Sequence, residues 1–247
     1  YFEYDFSAIP ADVLGAVYEN YLGYKLKQSK KDLDLSKDKR KRKEQGIYYT
    51  PRFIVDYIIQ NALGPVLDKC QSINDLKKIK VLDPACGSGS FLVAAMNFLI
   101  KKYEEFSATA DGFLKVQVLQ NNIYGVDLDQ QAVELARLNL LLNTFDAQTK
   151  LPGLENNIKN GNSLISGTDE ELEKFFGKNY RDKKPFNWQE EFSEVFKQGG
   201  FDVIIGNPPY IGVKEQDELF RNFIKAFYHY STGADIYVVF IEKTMEL

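Results

Sequence analysis

The chain has 247 residues, of which 44% are hydrophobic and 27% charged, and its formal net charge is −4. This composition predicts one large domain with a hydrophobic core, and it excludes the uniformly basic surface of many nucleic-acid-binding domains. Two cysteines and one histidine indicate neither a disulfide framework nor a zinc site. No apolar run is long enough to span a membrane and no signal-peptide pattern is present, so we expect a cytoplasmic protein.

The N-terminal region consists of an apolar periodic part and a basic part. Residues 10–26 carry apolar side chains at helical spacing, which predicts a helix. Lysine and arginine then occupy six of the seven positions from Lys37 to Lys43. Such a charge run is typical of a solvated linker, and an arm that contacts the DNA backbone is the alternative. We therefore predict a helical segment and a basic linker over residues 1–45.

Strand and helix patterns alternate over residues 46–247. A helix is predicted at 50–67, with Thr50 as its N-cap and Pro51 at its first helical position. Strands are predicted at 79–83, 123–129 and 201–208, and a weak strand and turn at 157–165. Further helices are predicted at 90–103, near 111–120, and at 130–144 and 235–247, and an insertion at about 166–200. Strands that alternate with helices form a parallel sheet covered on both faces, so the predicted fold class is α/β.

The stretch VLDPACGSGSF (81–91) joins a predicted strand to a predicted helix through Gly87 and Gly89. Two glycines permit a tight turn and a close approach of a ligand to the backbone. The loop lacks the Gly-Lys-Ser/Thr ending of a P-loop, and Leu92 stands where a dinucleotide fingerprint has its third glycine. Because ligands of open α/β sheets bind at the carboxyl ends of the strands, the loop predicts a ligand site without a pyrophosphate to hold.

Two acidic residues lie at the carboxyl ends of predicted strands. Asp83 ends the first strand and Asp127 ends the second. A carboxylate at position 127 can accept two hydrogen bonds from a ribose diol, and the apolar Leu128 can lie against an adenine. The alternative role for Asp127 is to cap the next helix, a role that suits Asp129 better. Together these residues indicate an adenosine-containing cofactor.

The stretch FDVIIGNPPYIG (201–212) places a rigid corner directly after an apolar strand. Pro208 and Pro209 stiffen the turn and remove two N–H donors. The Asn207 oxygen and the Pro208 carbonyl remain as acceptors beside the Tyr210 ring. This set suits a planar group with an NH₂, since two acceptors would localise the nitrogen lone pair for transfer of a sulfonium methyl. The alternative is a proline-rich turn without chemistry.

These motifs, in this order, resemble those of the γ class of S-adenosylmethionine-dependent N6-adenine DNA methyltransferases. The matching stretches are GIYYTPRFIV (46–55), DPACGSG (83–89), GVDLD (125–129), GNSL (161–164), NPPY (207–210) and DIYVVFIEK (235–243). The flanking stretches YDFSAIPADVLGAVYENYLG and NWQEEFSEVFKQGGFDVIIGNPPYI resemble the fused type IIG restriction–modification enzymes.

The resemblance implies a Rossmann-like methyltransferase core that is incomplete at its C-terminus, and it implies a role for each matching residue. The methionine side of S-adenosylmethionine would be lined by Tyr49, Thr50 and Pro51. Its amino-acid end would be held by Asp83, the Ala85 backbone and the loop of Gly87 and Gly89. Asp127 would bind its ribose, Leu128 would contact its adenine, and the edge of the adenine would be contacted by Asn162 and Ser163. The target base would be held by Asn207, Pro208 and Tyr210, with Pro209 completing the catalytic motif. The family often has aspartate at position 162, where the Asn162 oxygen can still accept a hydrogen bond.

The resemblance also implies the partners. They are double-stranded DNA with the target adenine flipped out and a target-recognition domain beyond residue 247, in a prokaryotic cytoplasm without membrane attachment. The first enzymatic alternative is N-methylation of a different substrate, either RNA guanine or a protein glutamine, because the enzymes that act on these share the Asn-Pro-Pro-Tyr corner. The second is a modification subunit of a type I system. A non-catalytic DNA-binding or assembly module that has kept the cofactor pocket is the third alternative.

Overall fold

The structure is a computed structural model, and the residues it describes are 24–28, 33–37, 50–106, 112–144, 151–229 and 235–247. The helices are α1 (Arg52–Leu67), α2 (Ile73–Lys78), α3 (Ser90–Glu104), α4 (Gly112–Asn122), α5 (Gln130–Thr144), α6 (Asp169–Phe176), α7 (Trp188–Glu191), α8 (Ser193–Phe196), α9 (Glu218–Phe227) and α10 (Ile236–Thr244). The strands are β1 (Tyr24–Gln28), β2 (Leu33–Lys37), β3 (Val81–Asp83), β4 (Ile123–Asp127), β5 (Ile158–Asn160) and β6 (Val203–Ile204). Within these ranges, no helix has the length and apolar character needed to cross a membrane.

Four strands form a parallel sheet in the order β5–β4–β3–β6. Val81 of β3 lies opposite Ile123 of β4 on one side and Val203 of β6 on the other. Gly125 of β4 lies opposite Ile158 of β5. Helices lie between successive strands along the chain, as crossover connections between parallel strands require. The predicted parallel α/β sheet is therefore confirmed, and its architecture is Rossmann-like.

One face of this sheet packs against helices. Val81, Ile123 and Ile158 belong to a buried cluster with the apolar faces of α1 to α5. The helix residues of this cluster include Leu63, Leu76, Leu99, Leu119 and Leu140, all of which are fully buried. The side chains at successive strand positions point to opposite faces of the sheet, so the residues next to these in each strand must be covered from the other side.

The other face is covered by aromatic side chains from the segment predicted as an insertion. Leu82 and Val126 of the sheet pack with Phe186, Trp188 and Phe192, and we call these three aromatic residues the aromatic cover. The ring centroids of Phe186 and Trp188 are 4.8 Å apart, and those of Phe186 and Phe192 are 5.7 Å apart. The segment 166–200 therefore completes the sheet's second layer.

A further hydrophobic cluster joins α6, α9 and α10. Ile211 and Val213 belong to it, and both come directly after the Asn-Pro-Pro-Tyr corner. The Tyr228 hydroxyl donates to the Leu164 carbonyl at 2.7 Å, which ties this cluster to the loop after β5. The chain downstream of the corner is therefore anchored in a buried core.

Two local predictions are corrected by the structure. Thr50 does not cap α1: Pro51 is the N-cap residue, no side chain caps the helix, and the first helical residue is Arg52. The strand predicted at 201–208 is limited to the two residues of β6. The strand ends before Gly206, whose φ of +149° departs from strand geometry.

Strands β1 and β2 form an antiparallel pair in which Leu26 lies opposite Leu35. The sequence predicted the end of a helix and a basic linker here. Most of the helix predicted at 10–26 lies outside the described residues, and its last three positions belong to β1. The alternation of apolar and polar residues in YKLKQ and LDLSK was the available strand signal.

Candidate active site

The predicted site residues converge at the carboxyl ends of β3, β4, β5 and β6. Asp83 and Asp127 are the last residues of β3 and β4. The Asn-Pro-Pro-Tyr corner begins three residues after β6 ends. Because all four strands are parallel, these groups share one edge of the sheet, where ligands of open α/β sheets bind. Tyr49 lies outside the described residues.

The glycine-rich loop after β3 has the backbone conformation that its two predicted glycines permit. Gly87 has a φ of +52° and Gly89 a φ of +88°. A Cβ added at Gly87 would meet nothing within 4 Å, so the space above this residue is open. A Cβ added at Gly89 would lie 3.1 Å from the Ala136 Cβ, which shows how closely the loop approaches α5. One glycine therefore opens the loop to a ligand, and the other lets it pack on a helix.

The loop is held by hydrogen bonds from neighbouring elements. The Cys86 N–H donates to the Val126 carbonyl of β4 at 3.0 Å. The Asn139 side-chain NH₂, from α5, donates to the Ser88 carbonyl at 2.8 Å. Asn139 was missed by the sequence analysis, although a polar residue on the buried face of an amphipathic helix could have marked it. Cys86 is buried, and burial raises the pKa of its thiol, which agrees with a packing role.

Asp127 connects the glycine-rich loop to the turn after β4. Its Oδ2 accepts from the Gly87 N–H and its Oδ1 from the Asp129 N–H, both at 2.8 Å. The Asp129 side chain in turn accepts from the Gln131 N–H at 2.9 Å, so Asp129 fills the helix-capping role. Each oxygen of Asp127 has a second lone pair, which leaves the carboxylate able to accept from a diol. Burial raises the pKa of Asp127.

Asp83 is the most deeply buried acid of the site, with 1% of its surface exposed. Its Oδ1 accepts from the Ala85 N–H at 3.0 Å. Burial raises the pKa of Asp83 to about 8; the Ala85 N–H lowers it and the nearby Asp127 charge raises it. Without a cation beside it, this carboxyl is therefore mainly protonated at neutral pH. A cation such as an ammonium would lower the pKa and favour the charged form.

Of the residues predicted at the cofactor's adenine, Leu128 is exposed, and the side chains of Asn162 and Ser163 form hydrogen bonds within the protein. Leu128 is 51% exposed and presents an apolar surface next to Asp127. The Ser163 hydroxyl is buried and donates to the Pro84 carbonyl at 2.6 Å. The Asn162 Oδ1 accepts from the Leu164 N–H at 3.1 Å. Both polar side chains thus support the loop after β5, and their contact with an adenine stays a prediction.

Two residues that the sequence analysis did not single out fix the turn at Asp127 and Leu128. The Asn160 NH₂ donates to both carbonyls of this pair, at 2.8 and 3.0 Å. The Lys184 ammonium donates to the Leu128 carbonyl at 3.1 Å. Lys184 has a φ of +50°, an uncommon conformation for a residue with a side chain. No local sequence pattern marks either residue for this role.

The Asn-Pro-Pro-Tyr corner lies against Asp83. A Cβ added at Gly206 would be 2.5 Å from the Asp83 Oδ1, so only glycine fits at this point. The Asn207 NH₂ donates to the Thr50 Oγ1 at 3.0 Å. Tyr210 is 50% exposed, and its ring centroid lies 5.8 Å from that of Tyr237. The corner therefore combines a fixed amide with an accessible aromatic ring.

The donor set at this edge fits S-adenosylmethionine. It offers a buried carboxyl for an ammonium, a second carboxylate for a ribose diol, an exposed leucine for an adenine and an open backbone above Gly87. Within the described ranges, no group of three or more His, Cys, Asp or Glu side chains is placed to hold a metal ion.

Two methyltransferase families match parts of this chain. The family of Eco57I restriction-modification methylases matches residues 121–247, and the RMKL-like methyltransferase domain matches residues 74–157. RM.Eco57I from Escherichia coli, a type II restriction enzyme and methyltransferase, is 29% identical over 99% of this chain and 26% of its own length. The type II methyltransferase M.BstVI from Geobacillus stearothermophilus is 30% identical over 82% of this chain and 31% of its own length.

A solved structure shares the fold. In the cryo-electron-microscopy structure of a DrdV–DNA complex, a similar region covers 96% of this chain and 21% of the DrdV chain, with a TM-score of 0.55 and 20% identity. This chain therefore spans about a third or less of the length of these relatives. Since the first family match alone covers slightly more than half of the 247 residues, the chain belongs to the Eco57I restriction-modification methylase family.

Proposed function

We propose that this chain is the methyltransferase part of a restriction–modification enzyme. It would transfer a methyl group from S-adenosylmethionine to N6 of an adenine in duplex DNA. The observation that supports the proposal is the close approach of Gly206 to the Asp83 carboxyl, because a target base held at the corner would then lie beside a cofactor held by Asp83. Within the proposal, residues 46–247 are the methyltransferase core and residues 1–45 an N-terminal segment with a basic linker.

The amino-acid end of the cofactor belongs beside Asp83 and the glycine-rich loop. Asp83 would pair with the ammonium, and the Ala85 backbone would stay fixed by its bond to this carboxyl. Gly87 and Gly89 would leave the backbone open to the ligand. Three residues would line the methionine side, namely Tyr49, Thr50 and Pro51. When bound, the cofactor supplies a methyl group on a positively charged sulfonium.

The nucleoside end of the cofactor belongs beside Asp127. Its carboxylate would accept from the ribose hydroxyls through the lone pairs that Gly87 and Asp129 leave unused. The exposed face of Leu128 would pack on the adenine. Asn162 and Ser163 would shape the adenine edge through the loop that they hold.

The corner at 207–210 would bind the target base. Asn207 Oδ1 and the Pro208 carbonyl would accept from the two hydrogens of the adenine N6, and Pro209 would keep the turn rigid. Stacking of the base on Tyr210 would contribute about 1–3 kcal/mol. An adenine inside a duplex does not reach this corner, so the base must flip out.

The family and its relatives support DNA as the substrate. RM.Eco57I is by its name a restriction enzyme and methyltransferase, and DrdV was solved bound to DNA. We place a target-recognition domain in the part of such enzymes that this chain does not cover, and we place the protein in a prokaryotic cytoplasm.

The test is a transfer assay with tritiated S-adenosylmethionine and the full-length protein. Duplex DNA should acquire label at adenine N6, whereas structured RNA and a glutamine peptide should not. Asn207→Ala should lower the rate by about a hundredfold to a thousandfold, with DNA binding nearly intact because backbone contacts dominate affinity. Label on RNA or on the peptide in place of DNA would overturn the proposal. Activity that requires a second polypeptide would favour a type I modification subunit.

A further inference from the structure

The side chains of Thr50 and Asn207 meet across 157 positions of sequence. The Asn207 Nδ2 donates to the Thr50 Oγ1 at 3.0 Å, and both residues are half-buried. Thr50 lies directly before α1 but makes no capping bond to it, since Pro51 is the N-cap residue. The Thr50 hydroxyl is therefore committed to the catalytic corner and not to its own helix.

The bond matters because an asparagine amide has two chemically different ends of nearly equal size. The oxygen accepts hydrogen bonds and the NH₂ donates them. An adenine N6 amine that approaches Asn207 presents hydrogens, so only the oxygen end can bind it. The bond to Thr50 occupies the NH₂ end and leaves Oδ1 for the target. If the amide were rotated by 180°, its NH₂ would face the NH₂ of the adenine, and two donors cannot form a hydrogen bond.

We infer that Thr50 is a positioning residue: its Oγ1 accepts from the Asn207 Nδ2, which holds the amide in place and leaves Oδ1 for the target amine. The inference rests on the proposed function, because it assigns to Thr50 a role in aligning Asn207 for methyl transfer in addition to lining the cofactor.

Thr50 is a firm anchor because the residues after it are fixed. Pro51 has a φ of −56°, which its ring locks. Val55 and Ile59 of α1 are buried in the cluster that also contains Leu92 and Met96 of α3. Helix α3 begins directly after the glycine-rich loop. The hydroxyl that orients Asn207 is thus part of the same packed unit as the cofactor loop.

The first test compares Thr50→Val with Thr50→Ser in the full-length protein. Valine has nearly the shape of threonine but lacks the hydroxyl, whereas serine keeps it. We expect Thr50→Val to lower kcat for DNA methylation about tenfold to a hundredfold, since small errors of alignment cost rates of this size. We expect Thr50→Ser to retain most of the rate. Thr244→Val, which removes a hydroxyl bonded within α10, is the matched control and should keep the full rate.

Two binding measurements separate positioning from a purely structural or cofactor role. The Kd for S-adenosylmethionine, measured by calorimetry, should be within about twofold of wild type in Thr50→Val, since the cofactor's charged groups are bound elsewhere. The fluorescence of 2-aminopurine at the target position should still rise on binding, because Tyr210 is intact. A large rise in the cofactor Kd with an unchanged kcat would overturn the inference. So would loss of the 2-aminopurine signal.

A double-mutant cycle tests the bond whether or not the chain methylates DNA. If Thr50 acts through Asn207, Thr50→Val added to Asn207→Ala should cause no further loss of rate and little further shift in Tm. Additive shifts in Tm would show that the two side chains are independent, and they would refute the inference. Absence of DNA methylation in the wild type, together with coupled Tm shifts, would instead refute the proposed function and leave the Thr50–Asn207 contact in place.

Discussion

At the scale of single residues, Gly206 is the point where the chain leading to the Asn-Pro-Pro-Tyr corner lies against Asp83. Its φ is +149°, and an added Cβ would lie 2.5 Å from the buried Asp83 carboxyl. Gly177 also has a positive φ, +74°, but an added Cβ there would meet nothing within 4 Å. Alanine at Gly177 would therefore cause backbone strain alone, whereas alanine at Gly206 would cause backbone strain and a steric clash with Asp83.

Gly206→Ala should displace the corner from Asp83 and lower both methyl transfer and S-adenosylmethionine affinity. Gly177→Ala should cost about 1–3 kcal/mol of stability, because its backbone (φ +74°, ψ −172°) lies in a region that residues other than glycine rarely adopt, without a change in transfer rate per folded molecule. The measurements are thermal unfolding, cofactor calorimetry and the tritium assay. Equal effects of the two substitutions on the transfer rate would show that the Gly206 contact has no functional importance.

The titration of Asp83 predicts how stability depends on pH. Its pKa is about 8 in the folded protein, chiefly through burial, against about 3.9 in an unfolded chain. The unfolded state loses its proton first, so the contribution of this carboxyl to stability falls as pH rises from about 4 to about 8 and is constant above.

Asp83→Asn removes this titration and keeps the shape of the side chain. In the absence of cofactor, we expect the Tm of the variant to exceed that of wild type by a margin that grows from about pH 5 to about pH 8. Its S-adenosylmethionine affinity should fall, because an amide does not pair with an ammonium. Asp169→Asn, at an exposed position of α6, is the control. A Tm difference that does not change with pH would contradict the assignment.

At the scale of elements, α5 supports the glycine-rich loop at two points. Ala136 receives the backbone of Gly89, and Asn139 donates to the Ser88 carbonyl. Asn139 is 3% exposed, and its Oδ1 has no hydrogen-bond partner among the described residues. Truncation of Asn139 would thus remove an NH₂ that is hydrogen-bonded and an oxygen that is not. The change in stability then depends on the Ser88 carbonyl, which stays buried without its donor.

We expect Asn139→Ala to destabilise the protein by about 1–3 kcal/mol, because it leaves the buried Ser88 carbonyl without its donor. Cofactor binding should weaken as well, since the loop loses a support. Asn143→Ala, one turn later on α5, removes a bond within the helix itself and should have the smaller effect on cofactor affinity. Urea unfolding and calorimetry measure the two quantities, and an equal loss of affinity in both variants would be evidence against a role for Asn139 in the loop.

At the scale of the whole molecule, the aromatic cover makes the sheet a three-layer structure. The Phe192 ring lies 5.5 Å from that of Tyr124 and 5.6 Å from that of Phe201, both in edge-to-face geometry. Phe192→Ala should lower the free energy of unfolding by about 3–5 kcal/mol. Phe113→Ala, at an exposed position of α4, should change it little. A small shift in the urea midpoint for Phe192→Ala would mean that the segment 166–200 is not part of the core.

The fold was predictable where periodicity is strong and local. Helix α5 begins and ends at the predicted residues, 130 and 144, because its apolar positions recur at helical spacing. The polar and aromatic composition of the segment 166–200 predicts an insertion. Its role depends on contacts with a sheet face that is distant in sequence.

The site was predictable where a motif carries its own chemistry. The edge that joins Asp83, Asp127 and the corner follows from strands that end at the same side of a parallel sheet. The Thr50–Asn207 bond was not predictable, because Thr50 also has the local signature of a helix cap. Only the tertiary structure shows which partner its hydroxyl takes.

The position of β6 in the chain, after the other three strands of the parallel sheet, sets the order in which the candidate site can assemble during synthesis. Strands β3, β4 and β5, and the helices between them, are complete once the ribosome has passed residue 160. Asn207 and its strand emerge later and must close a loop of 157 residues to reach Thr50, which makes this a contact of high sequence separation. A nascent chain therefore contains its glycine-rich loop before its Asn-Pro-Pro-Tyr corner, and under the proposed function it would have no methyl-transfer activity until β6 has joined β3.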